Sequence, residues 1–99
     1  MKLLKDLVVY VIKVDYFMED ENENEYTKPM FLFLNSLKNF YFKEEIEENI
    51  RIFYSHKEAV QYIAEHSALR TPCYGENVRV VKIKYNFKEN KWEEITNEK

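Results

Sequence analysis

Leu7-Val8-Val9-Tyr10-Val11-Ile12-Lys13-Val14-Asp15-Tyr16 is built almost entirely of β-branched and aromatic residues. Over its first half, both alternating faces are apolar. A strand reads this way when it is covered on both sides, so residues 7–16 are expected as a central strand of a sheet. Lys13 and Asp15 share one parity, so one face should meet solvent toward the strand's end.

Outward from this strand, residues 19–25 carry five carboxylates and no apolar side chain. That composition predicts a solvated, mobile loop. It lacks the alternation and central glycine of a calcium loop, so no metal site is expected. Residues 30–42 fit two patterns. Phe31-Leu-Phe-Leu34 and Phe40-Tyr-Phe42 around Asn35-Ser-Leu-Lys-Asn39 make a hairpin, whereas Met30, Leu34, Leu37 and Tyr41 would share one helical face. Phe and Tyr favour strands and Pro29 suits a strand start, so the hairpin is preferred. Residues 44–48, with four acids, read as a solvated turn or short helix, and residues 50–54 as a short strand.

Ser55-His-Lys-Glu58 matches the capping box, and the helix it opens should run from about 56 to 66. Ala59, Val60, Ile63 and Ala64 form its expected apolar face, and Leu69-Arg-Thr-Pro72 should end it. From 78 to 87 the chain turns extended again, with Val81, Ile83, Tyr85 and Phe87 alternating with Lys82, Lys84, Asn86 and Lys88. Glu89-Asn90 should turn the chain into a last strand over 92–95, followed by a frayed tail from Thr96. Strands, one helix, then strands again predict a single α+β domain over 1–99. Its sheet should be mostly antiparallel, with four or five strands and the helix packed on one face.

Composition fits this reading. The 99 residues are 45% hydrophobic and 16% aromatic, enough for one folded core. No apolar run reaches the roughly 18 residues of a membrane span. Cys73 is the one cysteine, which excludes an intrachain disulfide scaffold. The basic start lacks a clean apolar stretch and an Ala-x-Ala site, so no targeting segment is expected and the expected compartment is the cytoplasm. The wealth of Lys and Glu beside a single glycine points toward a hot habitat. Nine asparagines argue equally for a genome poor in G and C.

Catalytic chemistry finds little purchase. One glycine builds neither a P-loop nor a dinucleotide-binding turn, and there is no C-x-x-C pair. His56 and His66 are about 15 Å apart on a helix and cannot share a metal. Cys73 could meet His66 across the helix end. A packed cysteine and a histidine that suits the helix C-terminus are the simpler reading. No catalytic residue, cofactor or metal is therefore assigned.

Charge is more informative. The first fifty residues carry a net −5 and the remainder +2, within a chain of −3. Arg79, Lys82, Lys84, Lys88 and Lys91, with Tyr85, Phe87 and Trp92 beside them, could track a phosphate backbone and stack bases. The commoner use of such a lysine face is to protect a sheet edge. The acidic runs 19–25 and 44–48 suit a basic partner protein, and the dipolar pattern suits a second copy of the chain in a homodimer.

The Tyr/Phe strands, Glu/Asn loops, single glycine and length, taken over the whole chain, resemble the short proteins of archaeal filamentous and rod-shaped viruses, the lipothrixviruses and rudiviruses. The resemblance implies a small viral protein of the host cytoplasm, from a hot habitat, in a family of unknown function without catalytic residues to transfer. Some small proteins of these viruses block host CRISPR immunity, so host-defence inhibition belongs to what it implies. The expected function is thus a non-enzymatic binding protein acting on a host or viral protein. A nucleic-acid-binding module built on the basic hairpin is the alternative.

Overall fold

The computed structural model describes residues 7–71 and 73–95. The start of the chain, Pro72 of the expected helix stop, and the tail from Thr96 lie outside the described residues. The elements are β1 (Val8–Glu19), β2 (Glu25–Leu34), β3 (Phe40–Lys43), α1 (His56–Glu65), α2 (Ser67–Arg70), β4 (Gly75–Asn86) and β5 (Lys91–Glu94). The five strands form one antiparallel sheet in the order β3-β2-β1-β4-β5. The fold is therefore α+β, with the expected central strand at its centre.

Alternation along β1 builds two cores. Val9 and Val11 pack with Phe31, Phe33, Ile50 and Ile83 on one face, and Ile46, Ile52 and Trp92 lie against them. Ile12 and Leu32 pack with Phe53, Ala59 and Leu69 on the other, beneath α1 and α2. Val9, Val11, Ile12, Leu32, Phe33 and Ile83 are each at most 1% exposed, because both faces are covered. The face opposite the helices is closed by Ile46, Ile50 and Ile52, so the acidic run 44–48 serves as a turn pinned by Ile46.

Residues 50–53 act as a wedge rather than the expected strand. β1 and β2 pair from Lys13–Phe31 outward to Glu19–Glu25. On the other side of that pair they splay. Phe53 exchanges two backbone hydrogen bonds with Tyr10 (2.8 and 2.9 Å), and Arg51 N–H donates to the Leu32 carbonyl at 3.2 Å. The segment is too short to form a ladder, yet it satisfies backbone groups that the splay would orphan.

Residues 30–42 form the preferred hairpin, but β2 begins at Glu25, so Pro29 lies mid-strand rather than at a strand start. The Leu32 carbonyl faces the wedge on the β1 side, so odd-numbered residues of β2 point their backbone groups the other way. β3 reaches only as far as the residue opposite Phe31. Pro29 thus turns its missing N–H toward an unpaired edge, where it costs no ladder bond.

The chain has almost no glycine, and its turns use Asp and Asn instead. Asp20 Oδ1 accepts from the amides of Asn22 and Asn24 at 2.8 and 2.9 Å, and Asn35 Oδ1 accepts from Leu37 and Asn39 at 2.9 Å each. In both loops the fourth residue is left-handed, Glu23 at φ 65° and Lys38 at φ 66°. Asn86 Oδ1 likewise caps Lys88 and Glu89, ahead of left-handed Asn90. Run 19–25 is consequently a tight, exposed hairpin tip, in which Glu19 and Glu25 close the flanking strands and the loop is confined to residues 20–24. Gly75 is required for another reason. A Cβ there would sit 2.2 Å from the Asp15 carbonyl oxygen, where β4 crosses closest to β1.

The first half of the capping box forms as read: Ser55 Oγ accepts from Glu58 N–H at 3.1 Å. The Glu58 carboxylate reaches back one residue further, accepting from Tyr54 N–H at 3.3 Å. Two expectations about the helix need correction. It ends at Glu65, where His66 turns extended, and a separate one-turn α2 follows. Its buried side is Ala59 with Tyr62 and Ile63, while Val60 and Ala64 stay exposed. Tyr62 displaces them because the core beneath is aromatic: its ring lies 5.1 Å from Phe53 and 6.4 Å from Phe40.

Candidate functional site

The basic hairpin is not one surface. Successive residues of β4 face opposite sides, so Lys82 and Lys84 stand on the helix side, while Arg79 and Tyr85 stand on the other. Arg79 is engaged: its guanidinium donates to Asp15 Oδ1 at 3.1 Å and to the Asn77 carbonyl at 2.8 Å. The Asn77 amide bonds the second Asp15 oxygen at 3.1 Å. The Asn77 hydrogen bond, then Arg79 and the charge of Lys13, hold the Asp15 carboxyl below its ordinary value against the opposing push of partial burial.

Trp92 is half-buried against the core cluster of Val9, Val11 and Ile83 and lies edge-on to Tyr85 at 5.2 Å, so part of its ring is covered by the fold. Lys91 pairs with Glu89 at 3.3 Å on the exposed turn, and Lys88 is exposed beside it. Lys82 and Lys84 remain exposed with no ion pair among the described residues.

Of the acidic runs, 44–48 is partly neutralised. Glu44 meets Lys28 and Glu47 meets Lys43, at 2.6 and 2.7 Å. Each pair raises the lysine's pKa, through the hydrogen bond first. Run 19–25 is different. β4 pairs with β1 only as far as Tyr16, opposite Gly75. One further backbone bond, from Phe17 N–H to the Tyr74 carbonyl at 3.0 Å, ties β1 to the segment before β4, and from Met18 on β1 and β2 continue as a two-stranded arm, on a molecule 52 Å long and 34 by 30 Å across. The arm tip carries Glu19, Asp20, Glu21, Glu23 and Glu25, with no lysine or arginine before Lys28. Phe17 and Tyr26 on it are 44% and 45% exposed; Tyr54 and Phe87 are exposed elsewhere too, but here the rings flank a cluster of carboxylates. Asp20 is not free to serve as a ligand: its oxygens cap the tip. Those bonds, the Asn24 amide first, lower its pKa against burial.

The histidines and cysteine have local partners. His56 lies edge-on to Tyr10 at 6.0 Å. The Cys73 thiol is exposed, 3.2 Å from Thr71 Oγ1. His66 Nδ1 is 2.7 Å from the Tyr62 carbonyl, an acceptor, so Nδ1 carries the proton and Nε2 is left to face outward chemistry. Among the described residues no three His, Cys, Asp or Glu groups converge as a metal site, and no helix is long and apolar enough to cross a membrane.

One group was not foreseen. Arg51 sits alone between Ile50 and Ile52, and an arginine inside an apolar run is the signal that marks it. Its guanidinium stacks 4.3 Å over Phe53 and 5.0 Å from Tyr62, and lies beside Lys38, Phe40 and His66.

A scan of protein-family models, a search of curated proteins and a search of solved structures each return no match to this chain.

Proposed function

We propose that this protein is a non-enzymatic binding protein that presents its acidic arm to a basic partner protein, host or viral. The observation that carries the reading is the arm itself. Two strands project past the rest of the sheet, five carboxylates crowd their tip, and Phe17 and Tyr26 stand half-exposed beside them, one on each face of the ribbon. Aromatic anchors ringed by charge are the usual make-up of a recognition surface, and unlike-charged partners associate faster through steering. Inhibition of host defence is one role that such a contact would serve, and a homodimer would present two arms.

The test is capture from host lysate with and without nuclease, using the wild-type chain and the Phe17→Ser/Tyr26→Ser double variant. A protein retained after nuclease and lost with the double variant is the expected result. Equal capture by the variant refutes the arm as the contact.

Nucleic-acid binding is a second reading, supported by the adjacent exposed Lys82 and Lys84. It draws less support than the sequence promised, because Arg79 is engaged by Asp15 and Trp92 is half-buried against the core. If it holds, Lys82→Glu/Lys84→Glu abolishes capture of nuclease-sensitive material and the salt dependence disappears with it.

A further inference from the structure

A cavity of about 490 Å³ lies between β3, the wedge and the end of α1, lined by Leu34, Lys38, Phe40, Arg51, Tyr62 and His66. Three of these six carry or accept a proton's charge and none is a carboxylate. Arg51 Nε is buried, and it is the one buried side-chain nitrogen or oxygen among the described residues that has no hydrogen-bond partner. That atom is closed to solvent, so a molecule in the cavity would meet the guanidinium through its terminal nitrogens, not through Nε. The guanidinium cannot swing away: one of its terminal nitrogens holds the Ile52 carbonyl at 3.0 Å, and its plane rests on Phe53 and Tyr62.

The remaining wall is aromatic and ordered. Tyr62 and His66 stack at 4.0 Å, and Phe40 closes on His66 at 5.8 Å. Because His66 Nδ1 is committed to the Tyr62 carbonyl, its Nε2 is the available ring nitrogen. Lys38 reaches the cavity from the hairpin tip that Asn35 fixes by two hydrogen bonds, at a left-handed residue. A held guanidinium and a nearby ammonium beside flat apolar surface recognise a planar ring that bears an anion, and the volume lies in the range of small-molecule sites.

We infer that this cavity binds a free nucleoside monophosphate, its phosphate between Lys38 and Arg51 and its base against the Phe40–Tyr62–His66 wall. The inference is independent of the arm, which lies at the far end of β1 and β2.

The probes are AMP, adenosine and inorganic phosphate, titrated separately into the ¹⁵N-labelled full chain and read by amide chemical shifts. Lys38→Glu is the main variant, since Glu23 shows that glutamate tolerates the same left-handed conformation. Arg51→Lys is the second, since it keeps the charge but loses the planar fork. AMP should shift amides around residues 38, 51, 62 and 66, and bind more tightly than adenosine or phosphate alone. Lys38→Glu should weaken it by about tenfold or more with the spectrum otherwise native. The inference is overturned if AMP leaves those amides unmoved at millimolar concentration or moves only those around Lys82 and Lys84. It also fails if adenosine or phosphate binds as well as AMP, or if both variants bind AMP as the wild type does.

Discussion

The two halves of β1 are one continuous strand with opposite fates. Val9, Val11, Ile12 and Val14 are at most 1% exposed, flanked by the wedge, β2 and β4 and covered above and below. Three residues past Val14, Phe17 is 44% exposed, paired with β2 and tied on its other side by one backbone hydrogen bond to the Tyr74 carbonyl at 3.0 Å. Both halves are rich in β-branched or aromatic residues, so strand propensity is not what separates them. The difference is how many layers reach each half. Burial of an apolar side chain stabilises in proportion to the area removed from water, and the arm covers only about half of each ring where the near half covers its side chains fully. An exposed ring that the fold does not use is available to a partner.

The largest test of this contrast is Ile12→Ala. It should cost about 3–4 kcal/mol, since the cavity it leaves is closed on every side and cannot collapse freely. Urea denaturation measures it, and a loss under about 1 kcal/mol would mean that the near half is not packed as described.

Gly75→Ala attacks the junction where β4 leaves β1. With a new methyl carbon 2.2 Å from the Asp15 carbonyl, strands must part, at about 2–3 kcal/mol. A variant as stable as the wild type would show that the crossing is looser than drawn.

Asn35→Ala removes an acceptor shared by two loop amides and should lower stability by about 1 kcal/mol. It should also blunt AMP binding through Lys38, which separates hairpin order from core packing.

At the start of the arm, acid should act through Asp15. Its folded pKa lies below its unfolded value of 3.8, so the stabilisation is complete above that value and is lost as pH falls through the folded pKa. Asp15→Asn should flatten the acid limb of the stability curve below about pH 4. An unchanged limb would assign it to other carboxylates, Asp20 first.

The smallest stability effect belongs to Phe17→Ser, within about 0.5 kcal/mol of the wild type by thermal melting, despite the loss of a whole ring. A large loss would mean that Phe17 is structural and would withdraw it from the proposed contact.

The central strand, the hairpin over 30–42, the capped helix start and the paired C-terminal strands were legible because each rests on local signals: periodicity, turn residues, one capping box. Legibility failed where a residue answered to distant neighbours. The helix face was misread because apolarity alone favoured Val60 and Ala64, while the aromatic surface of Phe40 and Phe53 selected Tyr62. The basic hairpin read as one patch because lysines and arginines count alike in a sequence. Asp15, 64 positions away, holds Arg79. The Lys38–Arg51 cavity was invisible for the same reason, since its walls come from three separate segments, the hairpin over 34–40, the wedge and α1.

By itself, then, the sequence determined the α+β class, the antiparallel pairing and the turns, all of which follow from interactions over a few residues. Only the tertiary structure decided which strands lie side by side, that residues 50–53 wedge β1 from β2, that the acidic run crowns a projecting arm, and which charges remain unpaired. Those outcomes depend on contacts between residues far apart in the chain, where packing and strand length, rather than local propensity, choose the partner.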